Sequence, residues 1–290
     1  DGPKSQRPIF DGTVDLTTNN FRKLLNWTGV NLPRVPSDRL RKLTVGGKIK
    51  VDARKLLFND ISAQIDGTSI NGKAAVTLDE RILFDINLAI SKLNLDGYLK
   101  GKLPKKIKSK KFSGKLKNPV PKDNTVIQTE SKIISDSSSI FKRFDANINI
   151  KLSELVFKSL PITNLTLNAK LNKSRLAIVK FHVANVAGLS TNLSGNITAG
   201  KDMQDLMNPV FSNLKFAIRG NSLVRALNFM RIKPAIPINQ IGPVQLSGTL
   251  NGKLKTLDLL ADLSLLGGRF TLNGIIKPLS IVSPVQAQFS

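Results

Sequence analysis

The feature that most constrains this chain is a strict alternation of apolar and polar residues, repeated in segment after segment. Ala146-Ile148-Ile150-Leu152, Leu165-Leu167-Ala169-Leu171, Leu214-Phe216-Ile218 and Leu257-Leu259-Ala261-Leu263-Leu265 each put their apolar side chains on one side of an extended backbone. The residues between them are mostly Asn, Lys, Asp, Ser or Thr, so one face meets water and the other must be covered. Helical spacing occurs clearly only at Phe21-Leu24-Leu25-Thr28 and Leu223-Ala226-Leu227-Met230, behind N-cap candidates in Thr18 to Asn20 and in Asn221. A weaker third segment, Met203 to Met207, is ended by Pro209. With so few helices and no βαβ rhythm, the expected fold is mainly β: a long, curled antiparallel β-sheet forming a groove, with two short capping helices.

A second feature is duplication. Val14 to Val76 and Phe216 to Ile276 follow one order of parts. Leu25-Asn26-Trp27 answers to Leu227-Asn228-Phe229, Pro33 and Pro36 to Pro234 and Pro237, and Ile70-Asn71-Gly72 to Leu272-Asn273-Gly274. Glycine recurs within strand-like runs as apolar-x-Gly-x-apolar at Gly47, Gly72, Gly195, Gly248 and Gly274. Such a residue weakens a strand unless it serves a bulge, a bend or a close backbone approach, so its recurrence predicts curvature.

Alternation stops between Lys100 and Lys142, where Pro104, Pro119, Pro121 and the run Ser135-Asp136-Ser137-Ser138-Ser139 replace it. The expected organisation is a first β unit over 9–99 with a helix near 20–28, a basic flexible linker over 100–142, and a second β unit over 143–290 with the repeated helix near 221–231. Part of the formal net charge of +24 is concentrated in this linker, where ten lysines and no acid lie between Lys100 and Lys122, and the rest of the excess is scattered on strands. Lys105, Lys106, Lys108, Lys110 and Lys111 are the candidates for contact with an anionic surface, at ~1 kcal/mol for each lysine close to it. Arginine is absent from the run and Phe112 is its one aromatic, which removes the stacking platforms that single-stranded nucleic acid uses.

Catalytic chemistry has little to work with. There is no Cys, so neither a disulfide framework nor a thiolate metal site is possible, and the single His182 falls on the polar side of its strand. Asp202 and Asp205 read as cap or surface residues, and Gly46-Gly47-Lys48 lacks the spacing and following helix of a phosphate loop. The chain is therefore read as non-enzymatic, without cofactor or metal. No apolar run approaches the ~18 residues of a membrane span. A start at Asp1 and a strand-like run from Ile281 to Phe289 suggest an excised piece of a longer protein.

An apolar face with few helices can pack on a second sheet, close into a barrel, or curl into a trough. Its inward residues are mostly Leu, Ile, Val, Ala and Gly, and with 14 Phe against one Trp and one Tyr the inner side has room. An acyl chain of roughly 15 methylenes entering such a trough would gain on the order of 12 kcal/mol. The residues that would line it include Val45, Ile49, Ile70, Ile148, Ile150, Leu165, Leu167, Leu246, Leu250 and Leu272.

The chain resembles the AsmA-like proteins of the bacterial cell envelope, which are related to bridge-like lipid-transfer proteins. The resemblance rests on Phe21 to Val51, on Ile86 to Leu99 with its ending Leu93-Asn94-Leu95-Asp96-Gly97-Tyr98-Leu99, and on Phe144 to Ile197. It implies a periplasmic protein anchored in the inner membrane, with a β-groove that binds phospholipids for lipid transport or outer-membrane assembly. The family's N-terminal membrane helix is absent from this sequence, and the lysine-rich linker is longer and more basic than the family pattern. Two other readings stand beside it: a polyanion or nucleic-acid binder acting through the linker, and a structural β-repeat scaffold closed as a sandwich.

Overall fold

A computed structural model describes residues 10–27, 35–99, 144–198, 209–230 and 242–277. They form one sheet of thirteen strands whose spatial order is the order of the chain. The strands are β1 (Phe10–Thr18), β2 (Leu43–Val51), β3 (Lys55–Ile65), β4 (Thr68–Leu78), β5 (Ile82–Asn94), β6 (Phe144–Phe157) and β7 (Leu160–Asn172). They continue with β8 (Arg175–Val186), β9 (Leu189–Thr198), β10 (Val210–Gly220), β11 (Val244–Lys253), β12 (Thr256–Leu265) and β13 (Gly268–Ile276). The sheet is not closed into a barrel, since β1 and β13 are its two edges.

The duplication in the sequence is a duplication of structure. The order β1, helix, β2, β3, β4 returns as β10, helix, β11, β12, β13, with α1 (Phe21–Trp27) and α3 (Val224–Met230) in equivalent positions. Asn20 caps α1 as expected, its Oδ1 accepting from the Lys23 amide at 3.1 Å. At α3 the capping oxygen is that of Ser222, 3.2 Å from the Val224 amide, and not that of Asn221. A third helix that the sequence did not announce, α2 (Asp96–Leu99), follows β5. The expected segment Met203 to Met207 lies outside the described residues.

One expectation is corrected. The sheet is antiparallel at every junction but one: β5 and β6 run parallel, paired from Ile82↔Phe144 to Asn94↔Val156. A parallel pair needs a long crossover where an antiparallel pair needs only a short turn, and residues 95–143 supply that length. The two expected β units are thus adjacent parts of one sheet. Because β1, β5 and β10 share a direction, α1, α2 and α3 all follow strand ends at the same end of the sheet.

The parallel seam has no hairpin to hold its register, and side chains tie it at both ends. At the end away from the helices, Arg81 in the β4–β5 turn donates two hydrogen bonds to the Asp145 carboxylate, at 2.9 and 2.8 Å. Asp145 also accepts from the Lys173 amide at 2.9 Å. These donors hold the Asp145 carboxyl below its ordinary pKa, the Arg81 hydrogen bonds being the largest cause. At the helical end, Asp96 accepts from the backbone amides of Lys158 and Ser159 at 2.6 and 2.7 Å. Between the ends, Asn147 donates to Asp85 at 2.6 Å, and Phe84 meets Phe144 edge to face at 5.3 Å. Lys92 and Glu154 pair at 2.8 Å, but the lysine is 58% exposed and such a pair contributes little.

Lys158 and Ser159 both adopt left-handed backbone, at φ 50° and 62°, the signature of a two-residue type I′ hairpin turn. Their amides point to one side as a small anion nest, and Asp96 fills it. Lys173 and Ser174 repeat the arrangement at φ 47° and 67°, with Asp145 as the acceptor. Asp66, beside Gly67 in the β3–β4 turn, binds the Leu40 amide at 2.5 Å and the Tyr98 hydroxyl at 3.0 Å. It so joins α2 to the segment that enters β2. Burial, followed by the Asp66 hydrogen bond, pushes the Tyr98 hydroxyl up to about 12. Several of the chain's few carboxylates therefore serve as staples along the rims of the sheet.

Candidate functional site

Pairing decides which side chains share a face, because directly opposed residues in a sheet point the same way. Starting from the edge, one such row runs Leu16, Val45, Ala63, Ile70, Ile90, Leu152 and Leu165. It continues through Val183, Thr191, Ile218, Leu246, Leu263 and Phe270. Every strand contributes one residue, and the Thr191 hydroxyl is the single polar group. The neighbouring row on the opposite face reads Asp15, Gly46, Ser62, Asn71, Ala89, Lys151, Thr166, His182, Asn192, Ala217, Ser247, Asp262 and Thr271. At ~4.8 Å per strand the apolar row is on the order of 60 Å long.

All ten residues expected to line a trough lie on this apolar face. Val45 and Ile70 belong to the row above, as do Leu165 and Leu246. Ile49, Ile148, Ile150, Leu167, Leu250 and Leu272 lie in rows parallel to it. Each is half-buried, neither shielded as in a closed core nor free in water. The most buried apolar strand residues, such as Ala169, Ala261, Ala146 and Leu257, are on this face as well. Phe10, Leu16 and Phe270 on the edge strands remain exposed there. Among the described residues no second sheet lies opposite, and each strand makes its main contacts with its immediate neighbours.

The five glycines singled out in the sequence share this face. Gly47, Gly72, Gly195, Gly248 and Gly274 oppose Val14, Leu88, Ile178, Ala261 and Leu259 respectively. A Cβ added at Gly248 would stand 2.7 Å from the Cβ of Ala261, its cross-strand partner, where ordinary pairs are ~4.5–5.5 Å apart. The added Cβ would also meet the Leu260 carbonyl oxygen, so the β12 backbone passes where a side chain at this position would stand. At Gly195, with φ +143°, an added Cβ would meet the Asn213 carbonyl oxygen at 2.5 Å and the Leu214 Cα at 2.6 Å. Bulges interrupt the pairing beside this position in both β8 and β10. Local folding toward one face, with an extra residue on neighbouring strands, is how a sheet curls.

His182 and the Gly46-Gly47-Lys48 run, the residues weighed for catalytic and phosphate chemistry, both lie within strands. His182 lies on the polar face with its Nδ1 2.9 Å from the Asn192 Oδ1. Gly46-Gly47-Lys48 is mid-strand in β2 and opens no helix. No cluster of three metal-ligating side chains occurs among the described residues. Lys105, Lys106, Lys108, Lys110 and Lys111, like Asp202 and Asp205, lie outside the described residues. No family model, curated protein or solved structure matches this chain.

Proposed function

We propose that this chain is a non-enzymatic lipid-binding segment of an AsmA-like envelope protein, whose curled apolar sheet face holds phospholipid acyl chains for lipid transport or outer-membrane assembly. The observation that carries the reading is the apolar row crossing thirteen strands with no facing layer among the described residues. A face of that size is unfavourable in water, since each buried methylene contributes ~0.8 kcal/mol. Monomeric proteins rarely leave such contiguous patches uncovered unless something binds there. Acyl chains suit it because they are linear, apolar and indifferent to which Leu, Ile or Val they touch. Headgroups would remain in water at the mouth of the groove, and the lysines of the 100–122 segment would favour anionic surfaces. The reading places the protein in the periplasm, with its parent chain held at the inner membrane. Purification under native conditions, followed by organic extraction and mass spectrometry, tests it. Phospholipid is expected in the extract, and a lipid-free preparation with a dry apolar face would overturn the reading.

A further inference from the structure

The polar face also carries an arrangement that the lipid reading leaves unused. Its central rows place Lys73, Asn87, Asn149, Asn168 and Lys180 directly opposite one another on β4, β5, β6, β7 and β8. Three side-chain amides so stand in line at the sheet's own spacing, with an ammonium group at each end. Around the first four of these residues the polar face forms an open hollow of ≈ 500 Å³ between β3 and β7. Small or inward residues deepen this hollow: Ala75, 9% exposed, opposes Leu57 on its floor.

Charge around the hollow is predominantly positive, three lysines to one carboxylate among the described residues. Lys55, Lys73 and Lys170 line it, and none of the three forms an ion pair with a carboxylate among the described residues. Among the described residues Asp85 is the one acid lining it, and it accepts a hydrogen bond from the Asn147 amide at 2.6 Å while keeping its charge. Among the described residues no aromatic side chain lines the hollow, so base stacking finds no platform on them. A carboxamide both donates and accepts, which matches the vicinal hydroxyls of a sugar ring better than it matches a bare phosphate. Its repeat of ~4.8 Å from strand to strand is comparable with the advance of a polysaccharide per sugar. From the amide row, the unpaired ammonium groups and the missing aromatics we infer that this hollow binds an acidic polysaccharide, hydroxyls on Asn87, Asn149 and Asn168 and carboxylates or other anions on Lys73 and Lys170. The site lies on the face opposite the acyl-chain groove and stands independently of it.

Asn87→Thr together with Asn168→Thr removes two amides without changing charge, and threonine suits a strand. Binding of polygalacturonate, of neutral dextran and of a single-stranded DNA oligonucleotide would be compared in physiological salt for the native chain and this variant. The native chain is expected to bind polygalacturonate over dextran, and the variant to lose about tenfold or more of that affinity while its DNA binding is unchanged. Unaltered polygalacturonate binding, a native preference for DNA, or no discrimination from dextran would overturn the inference. Should the double variant fail to fold, Lys73→Gln with Lys170→Gln is compared with Lys23→Gln and Lys253→Gln, which remove the same charge elsewhere. The first pair is expected to lose more affinity than the second, and equal losses would refute a site in the hollow.

Discussion

Replacing Asp96 tests how the parallel seam is held at the helical end. Its two carboxylate oxygens accept from the Lys158 and Ser159 amides at 2.6 and 2.7 Å, and both donors sit in left-handed backbone. A hydrogen bond to a charged group contributes about 1.5–3 kcal/mol, and the exposure of these two argues for the lower end of that range. Asp96→Ala loses both acceptors and is expected to destabilise the sheet by about 2–3 kcal/mol, allowing water to replace part of each bond. Asp96→Asn retains one carbonyl oxygen and turns the other group into a donor facing a donor. It is expected to lose at least half as much. Urea unfolding followed by circular dichroism gives the global value. Amide exchange at Lys158 and Ser159 locates the effect, since both should lose protection before the rest of the sheet. If Asp96→Ala matched the native chain within 0.5 kcal/mol, or if exchange rose uniformly, the turn would be held by its strands alone and the stapling argument would fail.

Other outcomes follow from the same contacts. The Asp145 carboxyl is held below 3.8 by Arg81 and the Lys173 amide, so its contribution is present above that pH and is lost as pH falls through the lower folded value. Urea midpoints of the native chain and of Asp145→Asn should therefore differ at neutral pH and converge under strong acid. Tyr98, the single tyrosine, should show phenolate absorbance with a midpoint near 12 and not 10, returning toward 10 in Asp66→Asn. Because its folded value is raised, the stability it confers persists below 10 and is lost between 10 and about 12. Lys158→Asn with Ser159→Gly supplies the residues a type I′ turn favours and should raise stability by roughly 0.5–1 kcal/mol in urea unfolding. Gly248→Val should lower it by roughly 2 kcal/mol or more, since its Cβ has no room beside Ala261.

Alternation and glycine placement carried most of the fold in the sequence. Residues such as Ile148, Ile150 and Leu167 could be assigned to one face because a period of two admits no other arrangement in a strand. Strand direction was another matter. Ile82 to Ile90 and Phe144 to Leu152 would alternate identically in parallel or antiparallel pairs, and only the long interval between them distinguishes the two. The turns at Lys158-Ser159 and Lys173-Ser174 contain no Gly, Asn or Asp, so their hairpin chemistry resides in Asp96 and Asp145, distant in sequence. At four residues, α2 is too short for any helical period, and Asp96-Gly97 reads as a turn. The amide row on the polar face was hidden for a related reason. Asn87, Asn149 and Asn168 are ordinary solvent-facing residues until pairing brings them into line.

If the apolar face holds lipid as proposed, whether it stores lipid or conducts it depends on continuity, which one substitution can interrupt. Ile150 lies near the middle of the apolar face on β6, with five strands on one side and seven on the other. At ~4.8 Å per strand the two stretches are about 24 and 34 Å wide. A bilayer core of ~30 Å holds two acyl chains end to end, so one chain needs about 15 Å and fits either stretch. Ile150→Glu sets a carboxylate between them, and drawing an acyl chain past it in a dewatered groove means desolvating that charge, at several kcal/mol. Phospholipid recovered with the variant should therefore fall by no more than about half, whereas transfer of fluorescent phospholipid between vesicles, catalysed by the native chain, should drop toward background. Ile275→Glu, on the opposite face of β13, is the control and should leave both unchanged. Transfer that survives Ile150→Glu at the native rate would mean that lipids exchange at separate points of the sheet and do not travel along the row.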